Sequence, residues 1–243
     1  MQKINILRPT IFLPSLISSG VTLANFQLGK YGFSAYKTDV FTDEEVNKNK
    51  NILANNIGVS AENLVFQQQI HTTNIQIIRN ANHPILESDG MLTNVKNIVL
   101  CINLADCGGI LCYDTKNNVI GAFHSGWQGT KLNIVRVGID KMQEIYSTHP
   151  SDLLIYITPC AGREHYEVDF DVAKHFPNNL KQLANNKYLL DLKSVIVEQL
   201  LDVGVAREKI EISSVCTISN NMYHSFRRDS DKSGRMTAFI MMK

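Results

Sequence analysis

Between Asn97 and His124 the chain runs through three apolar segments, NIVLCINL, GGILCYD and VIGAFH, with only ADC and TKNN separating them. Each is short and apolar, and TKNN is a turn signal, so the three read as successive buried strands. Strands that follow one another with no helix between them disfavour a strictly alternating parallel sheet and point to a mixed α+β arrangement. LLIYITPC, EKIEISSVCT and MTAFIMM read as further strands by the same pattern.

Helical periodicity appears elsewhere. Val46, Leu53 and Ile57 recur at helical spacing after TDEE, which supplies an N-cap and first-turn acids, and Gly58 stands where a terminating glycine belongs. Leu132, Val135, Ile139, Met142 and Ile145 predict a helix beginning near Thr130, with free N–H groups at its start turned towards His124. DLKSVIVEQLLDVG predicts another, closed by Gly204. ENLVFQQQIH and NIQIIR, joined by Thr72 and Thr73, predict a hairpin or bent strand pair with His71 at its corner. No repeat, low-complexity tract or Gly/Ser/Pro-rich linker interrupts the chain, so residues 1–243 are expected to form one α+β domain of mixed β-sheets flanked by helices.

Charge and cysteine usage narrow the partners. Twenty-four Lys and Arg stand against 23 Asp and Glu, and a net charge of +1 leaves no excess to neutralise a run of phosphates, which argues against nucleic acid. No apolar stretch approaches the roughly 20 residues of a membrane span. Five cysteines are odd in number and sparse, unlike a secreted disulfide framework, and fit a reducing cytoplasm. The start, MQKINILRPTIFLPSLISSG, mimics a secretion signal, but Pro9 and Pro14 interrupt its apolar run and no A-x-A site follows; a cytoplasmic protein is expected.

His71, Cys107 and His124 each fall at the end of an apolar strand, where a scaffold holds side chains rigidly. One thiolate and two imidazoles are donors that zinc takes, and three protein ligands leave the fourth position that a catalytic site requires. Their spacing matches no local zinc pattern, and two other readings stand beside it. Cys107 could be a small buried residue with hydrogen-bonded histidines around it, or a nucleophile with His124 as base and the N–H groups of Gly108, Gly109 or the helix start as oxyanion donors.

Six motifs in order, QIHT (69–72), SDGMLT (88–93), LADCGGILCYD (104–114), AFHSGWQGT (122–130), TPCAGREHYEV (158–168) and HSFRRDSDKSGRM (224–236), span most of the chain. In these the sequence resembles the YfiH-like family, also called laccase-domain, multicopper polyphenol oxidoreductase or peptidoglycan editing factor proteins. The resemblance implies a zinc site on His71, Cys107 and His124, and action on purine nucleosides. The implied reactions are phosphorolysis of adenosine, inosine, guanosine and methylthioadenosine by inorganic phosphate, and deamination of adenosine.

For that chemistry Arg227, Arg228 and Arg235 are the candidate phosphate ligands, and Asp106 and Glu167 the candidate proton carriers. Copper-dependent polyphenol oxidation is the rival that the older name implies. A multicopper oxidase needs a trinuclear cluster and a separate thiolate copper site, hence many histidines, and this chain has seven. A metal-stabilised binding protein without enzymatic activity is the remaining alternative. The chain departs from the family pattern at Thr72, where glycine is usual, and at Gln128, where arginine is usual. Loss of that arginine removes a fixed bidentate cation from the region.

Overall fold

The three consecutive apolar segments form strands of two different sheets. The computed structural model describes residues 2–243. A five-stranded sheet contains β1 (Ile6–Leu7), β2 (Ile17–Thr22), β3 (Leu64–Val65), β6 (Val99–Leu104) and β14 (Met236–Met242), in the order β1-β2-β14-β6-β3. A six-stranded sheet contains β4 (Ile75–Ile77), β5 (Gly90–Thr93), β7 (Gly108–Asp114), β8 (Val119–Ser125), β9 (Leu153–Ile157) and β13 (Ile210–Ile212), in the order β13-β9-β7-β8-β5-β4. β10 (Glu167–Asp169), β11 (Leu180–Gln182) and β12 (Lys187–Leu190) make a small third sheet. The β3–β6, β4–β5 and β9–β13 pairs are parallel and the others antiparallel, which is the mixed α+β architecture expected.

Strand alternation assigns each face. Ile102 and Leu104 of β6, Ala238 and Ile240 of β14, Leu111 and Tyr113 of β7 and Ile120 and Ala122 of β8 fill one core between the two large sheets. The opposite residues of the first sheet, Cys101, Phe239 and Met241, pack under α1 (Asp43–Ile57). Those of the second sheet, Ile110, Cys112, Phe123 and Ile155, pack under α3 (Ile134–Tyr146) and α5 (Leu192–Asp202). Helix, sheet, sheet and helices therefore stack in four layers. Among the described residues no helix is long and apolar enough to cross a membrane.

α1 has the predicted bounds: Thr42 and Glu45 form a reciprocal capping box, and Gly58 closes the helix at φ 80°. Two expectations are corrected. The helix expected near Thr130 is two helices, α2 (Trp127–Lys131) and α3, because Asn133 breaks the run at φ 57° and then caps α3 through its side-chain oxygen on Arg136 N. Of the hairpin or bent strand pair expected at 62–79 both strands form, but they do not pair, since β3 and β4 lie in different sheets. The glutamines between them bond to backbone elsewhere: Gln67 Oε1 accepts from Leu86 N, and Gln69 makes a two-way bond with the backbone of Asn103. Residues 66–74 thus cross from one large sheet to the other, as Ala105–Cys107 do.

β8 is held in register by Phe123, fully buried between β5 and α3. α3 comes so close that a Cβ on Gly138 would stand 2.5 Å from the ring. Because His124 is the next residue, this packing also sets the position of a candidate ligand. Phe123→Ala is expected to cost about 3–5 kcal/mol in urea unfolding, the range for deleting a buried aromatic ring.

Candidate metal centre and adjoining cavity

The three candidate ligands converge where both large sheets end. Gly109 pairs with His124 across β7 and β8, so Cys107, just before β7, reaches the same end as the last turn of β8. Cys107 is carried there by a tight crossing from β6 in which Asp106 takes a left-handed conformation at φ 79°. His71 sits in the other crossing segment, also left-handed at φ 62°. One donor atom from each of His71, Cys107 and His124 lies within 4.8 Å of the others, and among the described residues this is the one such cluster. Cys107 Sγ is 4.0 Å from His71 Nε2, against roughly 3.5 Å between N and S ligands of a tetrahedral zinc. The two imidazole rings stand nearly perpendicular, with centroids 4.8 Å apart.

Asp89 organises the cluster and was not singled out from the sequence. The β5–β8 register sets Gly90 opposite Phe123, which brings Asp89 beside His124. Its Oδ1 is 2.7 Å from His124 Nδ1, leaving Nε2 to face the cluster. Its Oδ2 accepts from Thr72 N at 2.6 Å, Ile70 N at 3.2 Å and Thr72 Oγ1 at 3.0 Å, so the same carboxylate ties down the loop of His71. Thr72, the departure from the family pattern, thereby adds a bond to the cradle. The SDGMLT motif contains Asp89, and a carboxylate that orients a ligating histidine is a common second partner in metal sites.

In the free site Cys107 and His124 favour opposite charges, and His124 gives up its proton when a metal is ligated. Burial pushes the Cys107 thiol up, but the neighbouring His124 and His71 outweigh it and hold the thiol below its ordinary value. Burial pushes His124 down, and the Cys107 thiolate and the Asp89 carboxylate together raise it above the ordinary imidazole value. Thiolate is the form that ligates a metal. Space is also reserved: a Cβ on Gly126 would lie 2.8 Å from Cys107 Sγ and 3.1 Å from His71 Cδ2. The donor set, the thiolate and this open flank fit a bound transition metal.

A cavity of about 340 Å³ adjoins the triad, and its other walls include Tyr36, Gln69, Asn103, Phe226 and Arg235. Of the three candidate phosphate arginines, only Arg235 lies on it, with its guanidinium 5.5 Å from the Phe226 ring centre. Arg228 is engaged elsewhere, donating to both Asp229 carboxylate oxygens and to the carbonyls of Thr217, Ile218 and Tyr223. Arg227 lies outside the cavity, over the Tyr166 ring and bonded to the Glu167 carbonyl.

The candidate proton carriers also stand off the cavity wall. Asp106 accepts from Thr217 Oγ1 on one oxygen and from Ser225 Oγ and Arg227 N on the other, which anchors the loop carrying the arginines beside the triad. Glu167 is exposed on β10 with Lys187 nearby, and Gln128 is exposed on α2. None of these three could be ruled out from sequence, because strand ends and loops say nothing of which way a side chain is tied.

Two outcomes follow from this geometry. Gly126→Ala is expected to leave the fold intact and lower metal occupancy, measured by elemental analysis of the purified protein, since the added methyl enters the flank of the triad. The second concerns pH. Burial raises Asp89, but the bonds from His124 and Thr72 prevail and bring it from 3.8 down to about 2. A depressed carboxylate contributes stability that is complete above its unfolded value and is lost as pH falls towards the folded value. The Asp89 contribution should therefore fade between about pH 4 and pH 2, and Asp89→Asn should flatten that part of the stability curve.

The chain is 31% identical to "Purine nucleoside phosphorylase YlmD" of Bacillus subtilis over 93% of its own length and 89% of that protein. It is 30% identical to a "Purine nucleoside phosphorylase" of Bacteroides thetaiotaomicron, over 82% and 80% of the two chains. The crystal structure of YlmD from Geobacillus stearothermophilus superposes with a TM-score of 0.90 at 26% identity, covering 100% of this chain and 98% of that one. YfiH of Bacillus licheniformis, described as a hypothetical protein, gives 0.87 at 26% identity over 95% and 97%. Residues 20–243 match the family described as multi-copper polyphenol oxidoreductase laccase, and the chain belongs to that family.

Proposed function

We propose that the chain is a cytoplasmic, zinc-dependent purine nucleoside phosphorylase that cleaves adenosine, inosine, guanosine or methylthioadenosine with inorganic phosphate. The observation that carries this reading is the pairing of a His-Cys-His cluster with a cavity that holds a cation, two aromatic walls and no carboxylate. His71 Nε2, Cys107 Sγ and His124 Nε2 would hold the metal. When bound, zinc supplies a Lewis acid with one open coordination position.

The remaining roles belong to the chain itself. Arg235 supplies the fixed charge for phosphate, and Tyr36 and Phe226 offer apolar faces to a purine. In the reaction a phosphate oxygen bonds to C1′ as the C1′–N9 bond breaks, the bonding pair leaves with the purine, and the proton of hydrogen phosphate ends on the base. Closing the reactants together in one cavity with phosphate held by a guanidinium supplies orientation and charge neutralisation. Asp89 keeps the His124 tautomer fixed, so that Nε2 stays free to ligate.

Adenosine deamination is the second implied reaction, and it asks for a proton carrier at the reacting carbon. Asp106 and Glu167, the candidates for that role, are both turned to other partners, so phosphorolysis is the reading the cavity favours. Copper oxidase chemistry is disfavoured because a four-electron oxidase needs two copper sites, and the described residues offer one cluster that could hold a metal.

Chromatography of inosine and adenosine incubated with metal-replete protein tests the reading. Free base is expected only when phosphate is present, with release falling at least about a hundredfold in folded His71→Ala and Cys107→Ala proteins, a loss in line with removing a metal ligand. If neither nucleoside is consumed, the reading fails. Activity that survives chelator but is lost on thiol alkylation would instead identify a Cys107–His124 hydrolase. Unfolding on zinc removal without any turnover would identify a binding protein.

A further inference from the structure

One polar group on the cavity wall has no partner. Asn103 is only 5% exposed, and its Nδ2 makes no hydrogen bond. Its Oδ1 accepts from Thr237 Oγ1 at 3.4 Å, and its backbone N–H and C=O are both taken by Gln69. A buried donor without an acceptor is destabilising, and Leu or Val would fit a strand interior without that cost. Asn103 is part of the cavity lining while its Nδ2 is itself covered, so a turn of the side chain is what brings the donor to a ligand there.

Register brings this donor to the one arginine of the cavity. Thr237 pairs with Asn103 across β14 and β6, and residues directly opposite in an antiparallel pair share a face. Arg235, two residues before Thr237, falls on that same face as the diagonal neighbour of Asn103. Its Nη1 donates to the Ser233 and Gly234 carbonyls, while its Nε and Nη2 have no partner among the described residues. No carboxylate among those residues lies within salt-bridge distance of it. A half-buried guanidinium without a counter-ion, beside an unpaired amide donor and on a wall free of acids, calls for a ligand that accepts several hydrogen bonds and carries negative charge.

We propose that Asn103 Nδ2 and the Arg235 guanidinium form the oxyanion subsite of the cavity and together take inorganic phosphate. This deepens the phosphorylase reading and rests on it for the role of the bound ion. Arg235 neutralises charge, and Asn103 fixes which phosphate oxygen faces away from the reaction, so Asn103 is a positioning and specificity-determining residue whose effect falls on phosphate rather than on the nucleoside.

The test titrates inorganic phosphate alone into metal-replete protein by calorimetry, and separately follows the KM for phosphate and for inosine, in Asn103→Leu and Asn103→Asp variants. Asn103→Leu is expected to weaken phosphate binding about tenfold, as the loss of a hydrogen bond to a charged group does, with the inosine KM within about twofold of the parent. Its melting temperature should stay close to the parent's, because loss of the orphaned donor is offset by loss of the acceptor for Thr237 Oγ1. Asn103→Asp should abolish phosphate binding by setting a carboxylate against the anion. Unchanged phosphate binding in the Leu variant, or a shift confined to the inosine KM, would overturn the assignment. So would adenosine 5′-monophosphate binding more tightly than phosphate with the same dependence on Asn103, which would mark a nucleotide pocket. Phosphate binding that depends on Asn103 in a protein that cleaves no nucleoside would keep the subsite and overturn the phosphorylase reading alone.

Discussion

The Asp89 carboxylate is the interaction on which the site depends. One oxygen fixes the His124 ring and the other collects three donors from the segment that carries His71, so a single buried group sets two of the three ligands. His71 lies in a crossing loop whose left-handed backbone would be free to move without the bonds to Thr72 and Ile70. A carboxylate with four donors around it has little freedom to rotate, and that rigidity passes to the imidazoles.

The site owes its place to the way two sheets share one end. The chain passes between the sheets at Ala105–Cys107 and again at residues 66–74, and both crossings leave their ligand at the mouth of the inter-sheet core. The first crossing is fastened through Asp106 to the loop of Ser225 and Arg227, which also orients the segment leading to Arg235. The candidate metal centre and the proposed anion subsite are therefore built on the same backbone connections. Gly126 completes the arrangement by leaving the flank of the triad open.

Much of the scaffold was legible from local pattern. The short apolar runs are strands, and the capped helix at 43–57 has the bounds its Thr-Asp-Glu-Glu start and Gly58 imply, because capping and alternation are decided by residues a few positions apart. The expected strand pairing at 62–79 failed for a non-local reason. Gln67 and Gln69 satisfy backbone groups of distant segments, and nothing in the run itself announces that its two halves enter different sheets. The helix start near Thr130 was displaced by Asn133, a left-handed break that propensity alone does not reveal.

The sequence by itself determined the principal buried strands, the capped helix at 43–57, the mixed class of the fold and the identity of the three metal-ligand candidates, since residue type and ordered motifs carry that information. Only the tertiary structure decided which charged residues serve the cavity. Arg227, Arg228 and Arg235 look alike in FRRDSDKSGR, yet the carbonyls and carboxylate around Arg228 occupy it, Glu167 and Tyr166 hold Arg227 outside, and Arg235 alone meets the cavity without a counter-ion. Strand register likewise set Asp89 beside His124 and Asn103 beside Arg235. Those pairings are made across strands from distant parts of the chain, and the energy that selects them is the burial of the three apolar cores, which no local stretch of sequence contains.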